Sequence, residues 1–88
     1  MLKWYNFKEE IDMVPDTKGV YVLADDRHNV VYISAAKDLH KELSKHPDPF
    51  NQCLCQKNVQ YFAFEETPNS ESREAQLITE HDPECNRA

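Results

Sequence analysis

The sequence predicts an α+β domain in which helices flank a small three-stranded antiparallel sheet. Three short runs rich in β-branched and aromatic residues indicate strands, at 19–23, 30–33 and 59–65. Three other segments combine apolar spacings of three and four with residues that start or stop helices, and these indicate helices. A chain of 88 residues has room for one core, so we expect a single domain over residues 1–88.

The N-terminal half is expected to contain a helix followed by a β-hairpin. The helix ends before Pro15, and its apolar face is formed by Trp4, Phe7, Ile11 and Val14. Residues 25–29 form a polar loop between the first two strands. Two strands joined by so short a loop must be antiparallel neighbours.

Two further helices are predicted after the hairpin. The first is capped by Ser34 and ends at Pro47, and its apolar stripe contains Ala36, Leu39 and Leu43. Residues 47–57 lack a clear period and are expected to form a loop. The last helix opens at Thr67 and Pro68 and stops before Pro83, and its inward residues are Ala75, Leu77 and Ile78.

Composition and charge limit the classes of function. The chain carries 10 basic and 16 acidic residues, for a net charge of −6, and residues 47–88 hold 3 of the former and 8 of the latter. Binding to nucleic acid or to an anionic membrane usually needs a basic face. The sequence has no apolar run of membrane-spanning length and no signal peptide. We therefore expect a cytoplasmic domain that does not bind membranes. Its partner is expected to be a protein of unknown identity rather than nucleic acid, with Lys37, Lys41 and Lys45 offering only a weak DNA contact.

The three cysteines, Cys53, Cys55 and Cys85, form an odd set with no evident disulfide framework. Reduced thiols are the simpler interpretation. A zinc site that combines the first two with His46, His81 or Cys85 is an alternative. Because the Cys-x-Cys spacing differs from that of a zinc knuckle, we do not predict zinc, and metal binding by these cysteines stays open from sequence.

One ordered set of motifs carries the functional prediction. Residues 19–21 read Gly-Val-Tyr, residues 32–34 read Tyr-Ile-Ser, and Glu74 is followed twelve residues later by Asn86. In this order and spacing the sequence resembles the GIY-YIG nuclease superfamily, especially the nuclease domain of the excision-repair incision subunit. Residues 35–39 are similar to the family's lysine-containing stretch after the second motif. The resemblance covers roughly residues 13–86 and implies a three-stranded antiparallel sheet with an active site on one face.

The resemblance also implies roles for individual residues. Tyr21 and Tyr32 match the two signature tyrosines, which activate water or position the phosphate. Glu74 matches the glutamate that holds a divalent metal, and Asn86 matches the asparagine that supports the site. The family arginine, which stabilises transition-state charge, falls on Glu42. No cofactor is certain, and Mg²⁺ or another divalent cation is expected only if the domain is active.

Glu42 determines the predicted function. At about 5 Å and an effective dielectric near 20, one fixed cation is worth about 3 kcal/mol to a phosphate transition state, and its reversal to an anion costs up to about 6 kcal/mol. We therefore predict a degenerate GIY-YIG domain without conventional nuclease activity that acts as a binding or regulatory module. The alternatives are a metal-dependent DNA endonuclease with a rearranged site, in which Tyr21, Tyr32 and Glu74 keep their family roles, and a structural protein with a vestigial site. Joint binding of a metal by Glu42 and Glu74 is a separate option, because hard divalent ions favour carboxylate oxygens.

Each site residue also has a structural interpretation. Tyr21 and Tyr32 are candidates for a plain cross-strand aromatic pair. Glu42 can be a solvent-facing helix residue that pairs with Lys45. Glu74 can be a solvated helix residue, and Asn86 part of a frayed tail.

Overall fold

Four antiparallel strands form the central sheet of the protein, whose computed structural model describes residues 2–46 and 51–87. The strands are β1 (Tyr5–Asn6), β2 (Gly19–Asp25), β3 (Val30–Ala36) and β4 (Val59–Glu66). The helices are α1 (Phe7–Glu10), α2 (Leu39–Leu43), α3 (Gln52–Cys55) and α4 (Ser70–His81), with 3₁₀ turns at Ile11–Met13 and Glu84–Asn86. The predicted α+β class and its three strands are confirmed, and the two-residue strand β1 is an addition.

Strand β2 lies inside the sheet, whose order is β1-β4-β2-β3. In the antiparallel register of β2 and β3, Tyr21 lies opposite Ser34 and Leu23 lies opposite Tyr32. Because directly opposite residues share a sheet face, these four side chains point to the same side. The two tyrosines are therefore diagonal neighbours rather than a directly opposed pair. This arrangement leaves β3 at an edge of the sheet.

Each face of the sheet carries its own hydrophobic layer, because alternate residues of β2 point in opposite directions. The buried members of the first layer are Val14, Tyr21, Leu23, Val31, Ala36, Leu39, Leu43, Leu54 and Phe62. Those of the second layer are Val20, Val22, Ile33, Ala63 and Leu77. Helices α2 and α3 thus cover the tyrosine face of the sheet, and α4 covers the opposite face.

The N-terminal helix is shorter than predicted. The Asn6 side chain accepts a hydrogen bond from the Lys8 backbone N–H and caps α1, so the helix cannot extend back to Trp4. Tyr5 and Asn6 instead pair with β4. Trp4 lies before the helix and packs on the opposite sheet face from Val14, so the regular apolar spacing of these residues does not define one helical face.

The expected cap at Ser34 is wrong. Strand β3 continues to Ala36, because Ala35 and Ala36 still pair with β2. The Ser34 hydroxyl donates to the carbonyl oxygen of Ala35. The cap of α2 is Asp38, whose carboxylate accepts from the Lys41 backbone N–H.

Helix α4 begins later than predicted and ends where expected. The Thr67 N–H donates to the Lys18 carbonyl and continues the pairing of β4 with β2. Pro68 therefore precedes the helix instead of occupying its first turn. Ala75 is exposed rather than inward. The helix stops at His81, before Pro83. Within residues 2–46 and 51–87, no helix has the length and apolarity needed to cross a bilayer.

The prediction of reduced cysteines is contradicted by a disulfide between Cys53 and Cys85. Part of the segment expected to be a loop forms the one-turn helix α3, which packs beside the C-terminal 3₁₀ turn and brings the two Cα atoms to 5.5 Å. The pairing joins residues 32 positions apart, so it depends on the tertiary fold. Pro47, the predicted end of the second helix, lies outside the described residues.

Candidate functional site

The two signature tyrosines meet on the sheet face covered by α2. Tyr21 is almost fully buried, with 3% of its surface exposed, and Tyr32 is half-buried. Their ring centroids are 6.3 Å apart, with the planes tilted by 52°. The sheet register imposes this proximity, since the two residues occupy diagonal positions on neighbouring strands.

A third ring, that of His46, completes the cluster. Its Nε2 lies 3.2 Å from the Tyr21 hydroxyl oxygen, and its centroid lies 5.6 Å from the Tyr21 ring and 6.4 Å from the Tyr32 ring. Which group donates depends on the imidazole tautomer. An imidazole bonded to a phenol hydroxyl can accept or return its proton, which is the basis of general acid–base chemistry. We call Tyr21, Tyr32 and His46 the tyrosine–histidine cluster.

From the sequence, His46 is a candidate only for the zinc alternative. A signal for its position existed in the apolar stripe of α2, because Leu39, Leu43 and His46 follow one another at spacings of four and three. Both leucines are fully buried, and the His46 N–H donates to the Leu43 carbonyl, which extends the turn. His46 also lines two cavities, of about 280 Å³ and 400 Å³.

Glu42 forms an ion pair with Lys45, in which the Lys45 Nζ and the Glu42 Oε1 are 3.1 Å apart. The two side chains are 36% and 58% exposed, respectively. This is the pairing that the structural interpretation of Glu42 anticipated. The neighbouring ammonium therefore offsets the charge of the Glu42 carboxylate.

Glu74 and Asn86 reach β3 from its free edge. The Glu74 Oε2 accepts a hydrogen bond of 2.7 Å from the Ala35 backbone N–H. The Asn86 side-chain amide binds Ile33 twice: its Oδ1 accepts from the Ile33 N–H, and its Nδ2 donates to the Ile33 carbonyl, both at 2.8 Å. Asn86 therefore imitates a paired strand residue, and it belongs to an ordered turn rather than to a frayed tail.

The lysines of the α2 region lie at the surface. Lys37, Lys41 and Lys45 are all exposed, and Lys45 is engaged by Glu42. The neighbouring His40 lies 3.5 Å from a carboxylate oxygen of Asp16. Weak DNA contact through these lysines stays a prediction.

The zinc alternative is not supported. Cys53 is bonded to Cys85, whereas Cys55 is exposed and lines the 400 Å³ cavity together with His46. Residues two apart on a helix point about 200° apart, so Cys53 and Cys55 face opposite sides of α3. In the described part of the chain, no group of three or more His, Cys, Asp or Glu side chains could hold a metal ion.

A wider groove lies on the opposite sheet face, beside α4. Its cavity volume is about 730 Å³. We call it the Trp4 groove, and its lining residues are Leu2, Trp4, His28, Asn29, Val30, Glu65, Arg73, Leu77, Glu80 and His81. His28 has a left-handed backbone (φ 64°) and its ring stacks on Tyr61 at 4.1 Å, with Trp4 edge-on at 5.9 Å. The groove thus presents aromatic surface next to charged side chains.

One ion pair sets the electrostatics of the Trp4 groove. The Glu65 carboxylate accepts from Nε and Nη2 of Arg73, at 2.8 Å and 3.0 Å. The hydrogen bond from Arg73, aided by its charge, lowers the pKa of Glu65 below its ordinary value. The same bond raises the pKa of the Arg73 guanidinium. Because this pair is internally compensated, Glu80 is the remaining acidic side chain among the lining residues of the groove.

Comparison with known proteins identifies a family and a relative of this chain. A family model described as Domain of unknown function (DUF7508) matches residues 2–84. UvrABC system protein C of Mycoplasmoides gallisepticum is 26% identical to this chain, in an alignment that covers 93% of this chain and 15% of that protein. This chain therefore spans only a small part of that relative's length.

Two solved structures show the same fold. The GIY-YIG N-terminal endonuclease domain of UvrC from Thermotoga maritima, bound to its catalytic divalent cation magnesium, superposes with a TM-score of 0.75 at 22% identity. That match covers 92% of this chain and 96% of the other. A point mutant of the same domain gives 0.76 at 21% identity, covering 93% and 96%. The predicted GIY-YIG fold is thereby confirmed.

Proposed function

We infer the function from the premise that this chain belongs to the family described as Domain of unknown function (DUF7508). We propose that it is a GIY-YIG-type domain without conventional nuclease activity, which acts as a binding or regulatory module for a protein partner. The observation that carries this proposal is position 42, where Glu42 pairs with Lys45 and the GIY-YIG pattern has an arginine.

The missing cation has a calculable consequence. Phosphodiester cleavage concentrates negative charge on the phosphate, and a fixed cation about 5 Å away lowers that barrier by about 3 kcal/mol at an effective dielectric of 20. Its loss slows the reaction by about two orders of magnitude. Since Lys45 offsets the Glu42 charge, we expect the barrier to rise by about 3 kcal/mol, and not by the about 6 kcal/mol of an uncompensated anion.

Two further site residues, Glu74 and Asn86, have a structural role. The carboxylate of Glu74 and both polar atoms of the Asn86 amide bind backbone groups of β3. These bonds give both residues a reason to be present in a domain that does not cut DNA. They support a fold that is maintained independently of catalysis.

The Trp4 groove supports a protein partner. Aromatic and aliphatic surface lies next to Glu80 in it, and residues 47–88 carry 3 basic and 8 acidic residues. A polyanion is repelled by this charge, whereas a segment that combines lysine or arginine with apolar side chains complements it. We therefore propose a basic, partly apolar segment of another protein as the occupant.

The nuclease part of the proposal is tested with plasmid, single-stranded and branched DNA in Mg²⁺ and in Mn²⁺. We expect the wild type to be inert and Glu42→Arg to nick DNA, with Glu42→Arg/Glu74→Ala inert again. Cleavage by the wild type that Glu74→Ala abolishes contradicts the proposal. An inert Glu42→Arg variant instead favours a structural protein with a vestigial site.

The partner is tested by selecting a peptide-display library on the immobilised protein. We expect enrichment of peptides with Lys or Arg beside aliphatic residues, and a fluorescence change of Trp4, the one tryptophan of the sequence, on titration. Glu80→Lys should weaken binding. Glu71→Lys is the matched control, because Glu71 is exposed and lies nine residues earlier on α4, about 180° around the helix. Equal effects of the two variants contradict this assignment.

A divalent-metal-dependent DNA endonuclease with a rearranged site is the second candidate, and the hydrogen bond between Tyr21 and His46 favours it. Glu74 would hold Mg²⁺ through a single carboxylate, which suits an ion that keeps several waters. When bound, the ion would polarise the phosphate as a Lewis acid. Under this candidate His46→Ala abolishes cleavage, while His40→Ala, on the surface of α2, preserves it.

A further inference from the structure

The C-terminal 3₁₀ turn is attached to the rest of the molecule by three consecutive residues. Glu84 forms an ion pair with Lys57, Cys85 is bonded to Cys53, and Asn86 binds both backbone groups of Ile33. The turn itself has only three residues. Its position depends on these links and on the packing of the fully buried Pro83 that precedes it.

The disulfide is the strongest of the three links. The Lys57–Glu84 pair lies at the surface, with side chains 26% and 58% exposed, and such pairs contribute little. The hydrogen bonds of Asn86 hold only while the turn stays against β3. The covalent bond to α3 keeps it there, because it limits how far Cys85 and the adjacent Asn86 can move.

We propose that Cys53 and Cys85 form a redox-responsive site, whose reduction by a dithiol releases Asn86 from the edge of β3. A thiolate of the dithiol attacks one sulfur of the Cys53–Cys85 bond, and the second thiol then displaces the mixed disulfide. Two electrons and two protons pass from the dithiol, which leaves as its own disulfide. Cys53 and Cys85 become two thiols, and no other group changes oxidation state.

The setting of the two sulfurs fits an exchangeable bond. Cys53 and Cys85 are half-buried rather than enclosed, and Cys53 lies on a helix of four residues, too short to be stable by itself. This inference concerns the sheet edge and is independent of whether the domain cuts DNA or binds a partner.

The backbone amide of Ile33 reports the release directly, because its hydrogen-bond acceptor is Asn86. Amide exchange is measured by NMR on the full chain, oxidised and then treated with dithiothreitol. We expect the Ile33 amide to exchange at least about tenfold faster after reduction, while amides of the interior strand β2, such as Val22, keep their protection. Mass spectrometry after alkylation confirms the state of each cysteine.

Matched variants separate the disulfide from general effects of cysteine replacement. In the Cys85→Ser and Cys53→Ser variants, the Ile33 amide should exchange as fast as in the reduced wild type. Dithiothreitol should not change its exchange rate. Cys55→Ser, which leaves the bond intact, should respond as the wild type. Unchanged Ile33 protection in the reduced protein overturns the proposal. So does equal loss of protection at Ile33 and Val22, which indicates global unfolding, or alkylation of Cys53 and Cys85 in the oxidised sample.

Discussion

Replacing Asn86 by alanine tests the most specific structural role found in the candidate site. The substitution removes the Oδ1 acceptor and the Nδ2 donor that bind the Ile33 N–H and carbonyl at 2.8 Å each. Both backbone groups belong to the edge strand β3 and are partly buried with Asn86 in place. In the variant they lose their protein partners, and only water can replace them.

The expected cost follows from these two bonds. A hydrogen bond contributes about 1 kcal/mol net, and a buried group left without a partner costs more, so we expect a loss of about 2–3 kcal/mol. For a domain of this size that lowers Tm by about 10–20 °C. Asn86→Asp should be at least as damaging, because a carboxylate oxygen then faces the Ile33 carbonyl where an N–H donor stood.

The assay is thermal and urea unfolding followed by circular dichroism, with the disulfide kept oxidised in every sample. Asn69→Ala is the matched control, since Asn69 precedes α4 without a side-chain capping bond, and its effect should stay within about 0.5 kcal/mol. If Asn86→Ala unfolds together with the wild type, or if Asn86→Asp is as stable as the wild type, the inferred role of Asn86 at the sheet edge is wrong.

Two further predictions concern stability. A Cβ at Gly19 would overlap the Glu65 carbonyl oxygen of the neighbouring strand and lie 2.8 Å from a Leu39 methyl. Gly19→Ala should therefore lower the free energy of unfolding in urea by about 1–3 kcal/mol. A neutral effect would show that the strands can move apart to accommodate the methyl group without cost. The pKa of Glu65 is lowered by Arg73 from an ordinary 4.5, so the pair stabilises the fold above that pH and its contribution is lost as the pH falls through the lowered value. The side chains of Glu65 and Arg73 are 42% and 34% exposed, respectively. Arg73→Gln should therefore lower the free energy of unfolding by at most about 1 kcal/mol at pH 7. In parallel unfolding curves the difference should shrink as the pH falls below 4.5, and a constant difference would contradict the assignment.

The strands were predictable because their composition reflects their burial. Residues 19–24 of β2 are all buried, since both faces of this interior strand are covered, and a continuous apolar run signals such a strand. Boundaries were less predictable. Ser34 has the chemistry of a helix cap, yet strand pairing with β2 keeps its backbone extended, so tertiary context overrides the local preference.

The candidate site was predictable only where motif spacing carried the information. The spacing identified Tyr21 and Tyr32, and the sheet brings them together. His46 joins them from 25 residues further along the chain, and the disulfide spans 32 residues. The spacing of the α2 apolar stripe indicates only that His46 faces inward, and the disulfide has no local signature. Both contacts depend on how α2 and α3 pack against the sheet. The influence of Glu42 on catalysis stays a prediction.

The side chains that cover the edge of β3 also affect how molecules associate with one another. An exposed edge strand offers unpaired donors and acceptors to any other extended chain, and proteins that leave such edges open tend to associate. Here Glu74 and Asn86 occupy the outward groups of Ala35 and Ile33, so a second molecule cannot add its own strand without displacing them. These two side chains thus keep the sheet from growing between neighbouring molecules, a role that does not depend on phosphodiester cleavage.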